Sequence, residues 1–290
     1  MLRERDGDQP SNLRHGLYSK ETISISMALH LSATTLTTYT RCPYAYALEK
    51  VAKVPAYLKS ISPEMHTGTA VHSVLQSTIK EPELTPEKAQ AKLEQSFNWN
   101  NYKDPQQAQA QFAIAQQRLQ DWLATPYGWG EGEVISVEKM LRSPEVEGLI
   151  LWGKPDMVRV AEGNVLEVVD HKSGRFVPSL KEQKASWQAI VYRLLTEIRW
   201  PEFSDYRISF SYLATQQILP IAYTPSEVES MWQRILQIAR RIEKARASVE
   251  LDIALEEAFP ARPGSHCRYC NTRRACSFYE GQEDYASTAH

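Results

Sequence analysis

Two carboxylates and one ammonium stand out by type and spacing: Asp156, and Asp170 with Lys172 two positions further on. Between the two acids, residues 157–169 read as β-branched strands joined by Glu162-Gly163-Asn164, a turn composition, with a second breaker at Ser173-Gly174. A hairpin folding back near 162–163 brings Asp156 and Asp170 onto neighbouring strands. Side chains two apart on a strand share a face, so Asp170 and Lys172 point the same way. Carboxylate oxygens suit Mg²⁺ or Mn²⁺, and such an ion lowers the pKa of bound water and polarises a phosphoryl oxygen. The lysine is suited to orient or deprotonate that water. The plain alternative is a surface hairpin with an ordinary salt bridge, and the same acid-x-Lys triplet recurs at Glu182-Gln183-Lys184 in a helical stretch. Context favours chemistry. Asp170 ends the apolar run Val165-Leu166-Glu167-Val168-Val169, where an unpaired carboxylate is costly to bury.

The surrounding elements must hold these groups. Residues 1–26 are polar and without hydrophobic periodicity until Ile23, and read as a disordered extension; residues 27–290 read as one domain without repeats or an internal boundary. Ser32 suits the N-cap of a short helix through Tyr39. From Glu64 to Lys80, Val71, Val74, Leu75 and Thr78 recur at helical spacing with His72 beside the stripe. A histidine so placed is ordinarily a satisfied structural residue. Residues 86–98 and 105–125 read as two helices, each headed by a proline, and form a helical insertion without evident chemistry. Strands are expected at 133–142 and 148–160, with Glu138 on the first as a surface residue. After the hairpin comes a helix from Ser179 to Ile198, in which Gln188 and Tyr192 share a face at i, i+4 spacing. Strands at 205–213 and 217–224 and a long helix from Pro225 to Ala247 complete the pattern.

Composition narrows the class. The 290 residues carry a net charge of −2, 42% hydrophobic and 23% charged residues, ordinary for a soluble protein. No run approaches a membrane span and the first 30 residues lack the apolar core of a signal peptide, so the expected compartment is cytoplasmic. The balance is not that of a protein that coats DNA. Any nucleic-acid contact is a local basic groove, with Lys172, Arg175, Lys181 and Lys184 near the hairpin and Arg268, Arg273 and Arg274 near the C-terminus as candidates. The four cysteines are Cys42, Cys267, Cys270 and Cys276. Without an export signal two disulfides are not expected. The Cys-x₂-Cys pair with a nearby third thiol suits a metal or cluster site, zinc and iron–sulfur both being open.

Taken in order, Cys42-Pro43, the Gly68-Thr-x-Val-His72 string, Pro155-Asp156, Asp170-His171-Lys172, Gln188-x-x-x-Tyr192 and the three late cysteines resemble the PD-(D/E)XK nuclease superfamily, in its RecB-like branch with an iron–sulfur cluster. The resemblance spans residues 32–276; Asp170 stands where glutamate is commoner. It implies an α/β, restriction-endonuclease-like core, a central mixed sheet flanked by helices, with N- and C-terminal segments joined by a four-cysteine [4Fe–4S] cluster, or structural Zn²⁺ as the alternative. It implies Mg²⁺- or Mn²⁺-dependent hydrolysis of DNA, the ion held by His72, Asp156, Asp170 and the carbonyl of His171. Lys172 would position the attacking water, with Gln188 and Tyr192 positioning substrate or lysine. DNA with a single-stranded or free end is the implied partner, in repair, recombination or CRISPR-type processing. A non-catalytic scaffold subunit is the rival reading. No Gly-x₄-Gly-Lys-[Ser/Thr] loop is present, so a helicase motor would be a separate subunit.

Overall fold

The computed structural model describes residues 28–59, 61–81, 84–124 and 132–279. The polar stretch 1–26 lies outside them, as do residues 126–131 of the Pro/Gly-rich segment. The expected α/β core is present: a five-stranded mixed sheet with helices on both faces. Its strands are β2 (Glu133–Val137), β5 (Met157–Ala161), β6 (Val165–Lys172), β7 (Tyr206–Tyr212) and β8 (Gln217–Ile221), in the order β2-β5-β6-β7-β8. Within this sheet β6–β7 is parallel and the other pairs are antiparallel. The parallel pairing needs a crossover, which two helices supply. A small second sheet holds β1 (Leu29–Leu31), β4 (Leu149–Gly153) and β3 (Leu141–Arg142), in the order β1-β4-β3.

Side-chain caps and prolines set the helix starts. Ser32, Ser62, Thr85 and Thr224 accept backbone hydrogen bonds at the heads of α1 (Ala33–Arg41), α3 (Pro63–Lys80), α4 (Pro86–Ser96) and α8 (Pro225–Glu250). Proline opens three of these four, where its missing N–H costs nothing. The set is completed by α2 (Pro43–Lys50), α5 (Pro105–Ala124), α6 (Leu180–Lys184), α7 (Trp187–Arg199) and α9 (Leu255–Ala258). On one face of the large sheet, α3, α4 and α5 bury Val71, Leu75, Leu93 and Leu119 against Met157, Val169 and Leu213. On the other, Ala189 and Tyr192 of α7 cover Val158, Val168, Ile208 and Phe210. A third apolar cluster joins α1, α2, α7 and α8 to the small sheet and ends on the fully buried Phe259.

Three expected boundaries are corrected. The strand expected over 133–142 is broken at Glu138, whose φ of +52° no strand accommodates. The strand expected over 148–160 is also two, because Lys154-Pro155-Asp156 carries the chain from the small sheet to the large one and Pro155 cannot donate to a ladder. The helix expected from Ser179 to Ile198 splits at Ala185-Ser186. There the Ser186 hydroxyl accepts from the Ala189 N–H and starts α7 afresh. The hairpin turn falls where its composition places it. Gly163 and Asn164 both take positive φ, +75° and +59°.

Candidate active site

The site lies where β5 stops short of β6. The register Met157↔Val169 leaves residues 170–172 of β6 beyond the end of β5. Asp156 fills that gap: its Oδ2 accepts the His171 N–H at 2.7 Å, as a strand carbonyl otherwise would. N–H and C=O of one strand residue face the same side. The His171 carbonyl therefore points to the edge where Asp156 stands, while its imidazole lies on the opposite sheet face from Asp170 and Lys172. That imidazole is buried, neither ring nitrogen has a hydrogen-bond partner, and it sits edge-on to Trp122 at 6.2 Å. Burial, then the charge of His72, pushes its pKa down to about 3. It stays neutral.

Asp170 and Lys172 face α7 and meet its Gln188 and Tyr192. Asp170 Oδ1 accepts from Gln188 Nε2 at 2.8 Å and lies 3.1 Å from the Tyr192 hydroxyl. Its Oδ2 has no aligned hydrogen bond, only the Lys172 ammonium at 2.7 Å. Lys172 Nζ also donates to Gln188 Oε1 at 2.6 Å. The amide of Gln188 thus has its nitrogen on an acceptor and its oxygen on a donor, so a flip would break both contacts. Tyr192 is fixed in turn by the Lys154 carbonyl at 3.1 Å. Burial and the Asp170 charge hold its phenol protonated, with a pKa well above the usual value.

His72 arrives from α3. Its Nδ1 lies 3.3 Å from both oxygens of Asp156. Burial alone would lower the imidazole pKa, but the hydrogen bond and charge of Asp156 outweigh it, and the net shift is upward. Burial and the facing Asp170 raise the carboxyl of Asp156 against the pull of His72. One turn earlier on α3, Gly68 packs on the loop after β6; a Cβ there would lie 2.9 Å from Ser173 Oγ. Arg118 of α5 holds the same loop, donating to the Ser173 carbonyl at 3.1 Å.

Glu138 corrects the expectation of a surface residue. Its side chain is mostly buried and ion-paired with Lys154, and its N–H donates to the Asp156 carbonyl at 2.9 Å. One ligand atom each from His72, Glu138 and Asp156 lie within 4.8 Å of one another. Nitrogen and carboxylate oxygens in that group are a donor set for a hard divalent cation. The sequence concealed Glu138 because β2 has a register shift between Val134 and Ser136 and a positive φ at 138. Strand alternation therefore gives the wrong side. Of the basic residues expected around the site, Lys184 is instead engaged by Glu227 at 2.7 Å.

The four cysteines also come together, in the second part of the molecule that the sequence singled out. Cys42 heads α2, and the segment 265–276 folds as two 3₁₀ turns beside it. Arg262 N–H donates to Cys42 Sγ and Gly264 N–H to Cys267 Sγ, both at 3.4 Å. Burial first, then the neighbouring Cys270, Cys42 and Cys267, raises the Cys276 thiol pKa. All four are free thiols.

Among the described residues no helix is long and apolar enough to cross a membrane. No curated protein matches the chain. The family model of the PD-(D/E)XK nuclease superfamily matches residues 30–277, from β1 through the last cysteine. The chain belongs to the PD-(D/E)XK nuclease superfamily.

Proposed function

We propose that the chain is a Mg²⁺- or Mn²⁺-dependent deoxyribonuclease, an exonuclease acting on single-stranded DNA ends in repair, recombination or CRISPR-type processing. The observation that carries this is the convergence of Asp156, Asp170, Lys172, Gln188 and His72 at one sheet end. Superfamily membership makes hydrolysis of nucleic acid the chemistry to expect there.

His72, Asp156, Asp170 and the carbonyl of His171 would hold the ion, with Glu138 added to the expected set on the grounds of its place beside His72 and Asp156. A bound divalent ion supplies Lewis acidity and a water of lowered pKa. The remaining work falls to side chains. Lys172, pinned by Asp170 and Gln188 at 2.7 and 2.6 Å, presents its ammonium to the attacking water and to the phosphoryl oxygen. Gln188 sets the direction of that ammonium, and Tyr192 sets Asp170. Such preorganised donors stabilise charge as it develops.

The four thiols are read as ligands of a [4Fe–4S] cluster. Their convergence and the two N–H···S contacts support a thiolate-bound centre, and Zn²⁺ is the alternative occupant. The deciding assay is cleavage of linear single-stranded DNA with Mg²⁺ or Mn²⁺, wild type against Asp156→Ala and Lys172→Ala. Both variants should lose cleavage by orders of magnitude while keeping the native circular-dichroism spectrum. Undiminished cleavage by both would remove the assignment.

A further inference from the structure

The catalytic pocket opens into a cleft longer than one metal centre needs. From Lys172 and Gln188 it continues along α1 to the cysteine segment, as a cavity of about 850 Å³. One wall is a single face of α1, where Thr34, Thr37, Thr38 and Arg41 stand at i, i+3, i+4 and i+7. Thr35 and Leu36, on the other side of that helix, are buried. The Thr37 hydroxyl donates to the Ala33 carbonyl at 2.8 Å, so Thr34 and Thr38 are the hydroxyl donors left to face the cleft. Arg41 is exposed and, among the described residues, has no ion-pair partner.

Two large exposed aromatic rings line the two spaces that meet at Lys172 and Gln188, one ring in each. Phe176 lines the pocket on the hairpin side and is 77% exposed. Tyr269 lines the far end and is 64% exposed, with Arg268 stacked 4.7 Å from its ring centroid. Single exposed aromatics need no explanation, but one in the catalytic pocket and one in the cleft that continues from it form a pair of stacking platforms. The charge in the cleft is mixed. Glu49, held by Lys50 at 2.8 Å, and Glu64 also line it. A ligand here is gripped by stacking and hydrogen bonds more than by charge.

Resting on the nuclease reading above, we propose that this cleft is the track of one unpaired nucleic-acid strand. Its backbone follows the Thr34–Thr38–Arg41 face of α1, and its bases stack on Phe176 and Tyr269 on either side of the scissile phosphodiester. Stacking is open to unpaired bases of any sequence, whereas a duplex keeps its ring faces occupied. A mixed-charge track further implies shallow salt dependence, a slope of about −0.7 for each phosphate contacted.

Fluorescence anisotropy on the full chain in EDTA, where no cleavage occurs, tests this with a labelled oligothymidylate of about 20 nucleotides and a duplex of the same length. The strand should bind tighter than the duplex. Phe176→Ala and Tyr269→Ala should each weaken strand binding about 5- to 150-fold, the loss expected for one stacked base, while Phe176→Tyr and Tyr269→Phe retain it. Arg41→Ala should reduce the salt slope by about 0.7. In cleavage assays the same losses should appear in KM, with kcat kept at saturating strand. Phe176 is too exposed for its truncation to threaten the fold, so that variant decides even if Tyr269→Ala disturbs the cysteines beside it. Equal affinity for strand and duplex, or wild-type affinity in both Phe176→Ala and Arg41→Ala, overturns the track. Wild type that cuts DNA while those variants bind normally overturns the track alone. Wild type that binds the strand as described but never cuts it overturns the nuclease reading alone.

Discussion

At the scale of single residues, the proposed mechanism separates groups that would hold an ion from groups that would hold a water. Asp156 and Asp170 are buried carboxylates, and burial first, then repulsion by Asp170, raises the cost of ionising Asp156. A divalent cation relieves that repulsion, so metal binding should appear as stability. At a concentration of about 100 times Kd the gain is about 2.7 kcal/mol. Differential scanning fluorimetry with Mn²⁺ should show this rise in wild type and its loss in Asp156→Asn. Lys172→Ala should behave differently: no cleavage, yet a full metal-induced rise, because an ammonium is not a ligand. A rise absent from both variants would merge the two roles. Glu138→Gln should leave the fold intact and raise the Mn²⁺ concentration for half-maximal cleavage about 10- to 100-fold, as loss of a supporting carboxylate does elsewhere. An unchanged metal titration would return Glu138 to a purely structural pairing with Lys154.

At the scale of elements, the close approach of α3 to the loop after β6 decides whether His72 reaches Asp156. Gly68 has no Cβ, and one would meet only the Ser173 hydroxyl, which can rotate away. Gly68→Ala should therefore be tolerated and gain about 1 kcal/mol of helix propensity. Gly68→Val cannot be relieved by that rotation. It should cut cleavage at least about tenfold through misplaced geometry, with little change in helix content by circular dichroism. Equal activity in the two variants would show that α3 has slack. The same region shows what a sequence discloses. Local signals were readable because their causes are local: Ser32 as a cap, prolines at the heads of α4, α5 and α8, Gly163-Asn164 as a turn, and Asp170 and Lys172 on one face. Glu138 was not readable, since a bulge and a positive φ reverse the strand's parity and neither has a composition of its own. Nor was the crossing from small sheet to large at Lys154-Pro155-Asp156, which depends on tertiary pairing of β4 with β1. The break at Ser186 left a signal, a capping serine inside an apolar period, that the period outweighed.

At the scale of the whole molecule, the two ends of the matched region pack against each other, and the proposed reading adds a thiol part to an apolar one. The apolar part is Phe259, fully buried with its ring 5.9 Å from that of Tyr46, and Phe278, edge-on to Tyr44 at 5.1 Å. The proposed thiol-bound centre would join Cys42 to a segment some 220 positions away, where the Arg262 N–H donates to the Cys42 sulfur. A cross-link closing a loop that long stabilises by about 5 kcal/mol through restriction of the unfolded chain. A whole domain has only about 5–15 kcal/mol. Cys42→Ala should therefore yield protein that is protease-sensitive and melts well below wild type, with DNA cleavage falling in parallel although Cys42 is not among the proposed ligands of the ion. Phe259→Ala, which costs about 3–5 kcal/mol by cavity formation, should lower the melting temperature to a similar extent while leaving the metal content of the cysteine site unchanged. That contrast separates a staple from ordinary packing. Elemental analysis of anaerobically purified protein then names the centre. About four irons per chain with broad visible absorbance, lost in Cys42→Ala, fit the cluster. One zinc in colourless, active protein would replace the cluster and keep the staple. Wild-type melting in metal-free Cys42→Ala would show that Phe259 and its neighbours hold the two ends without help from the thiols.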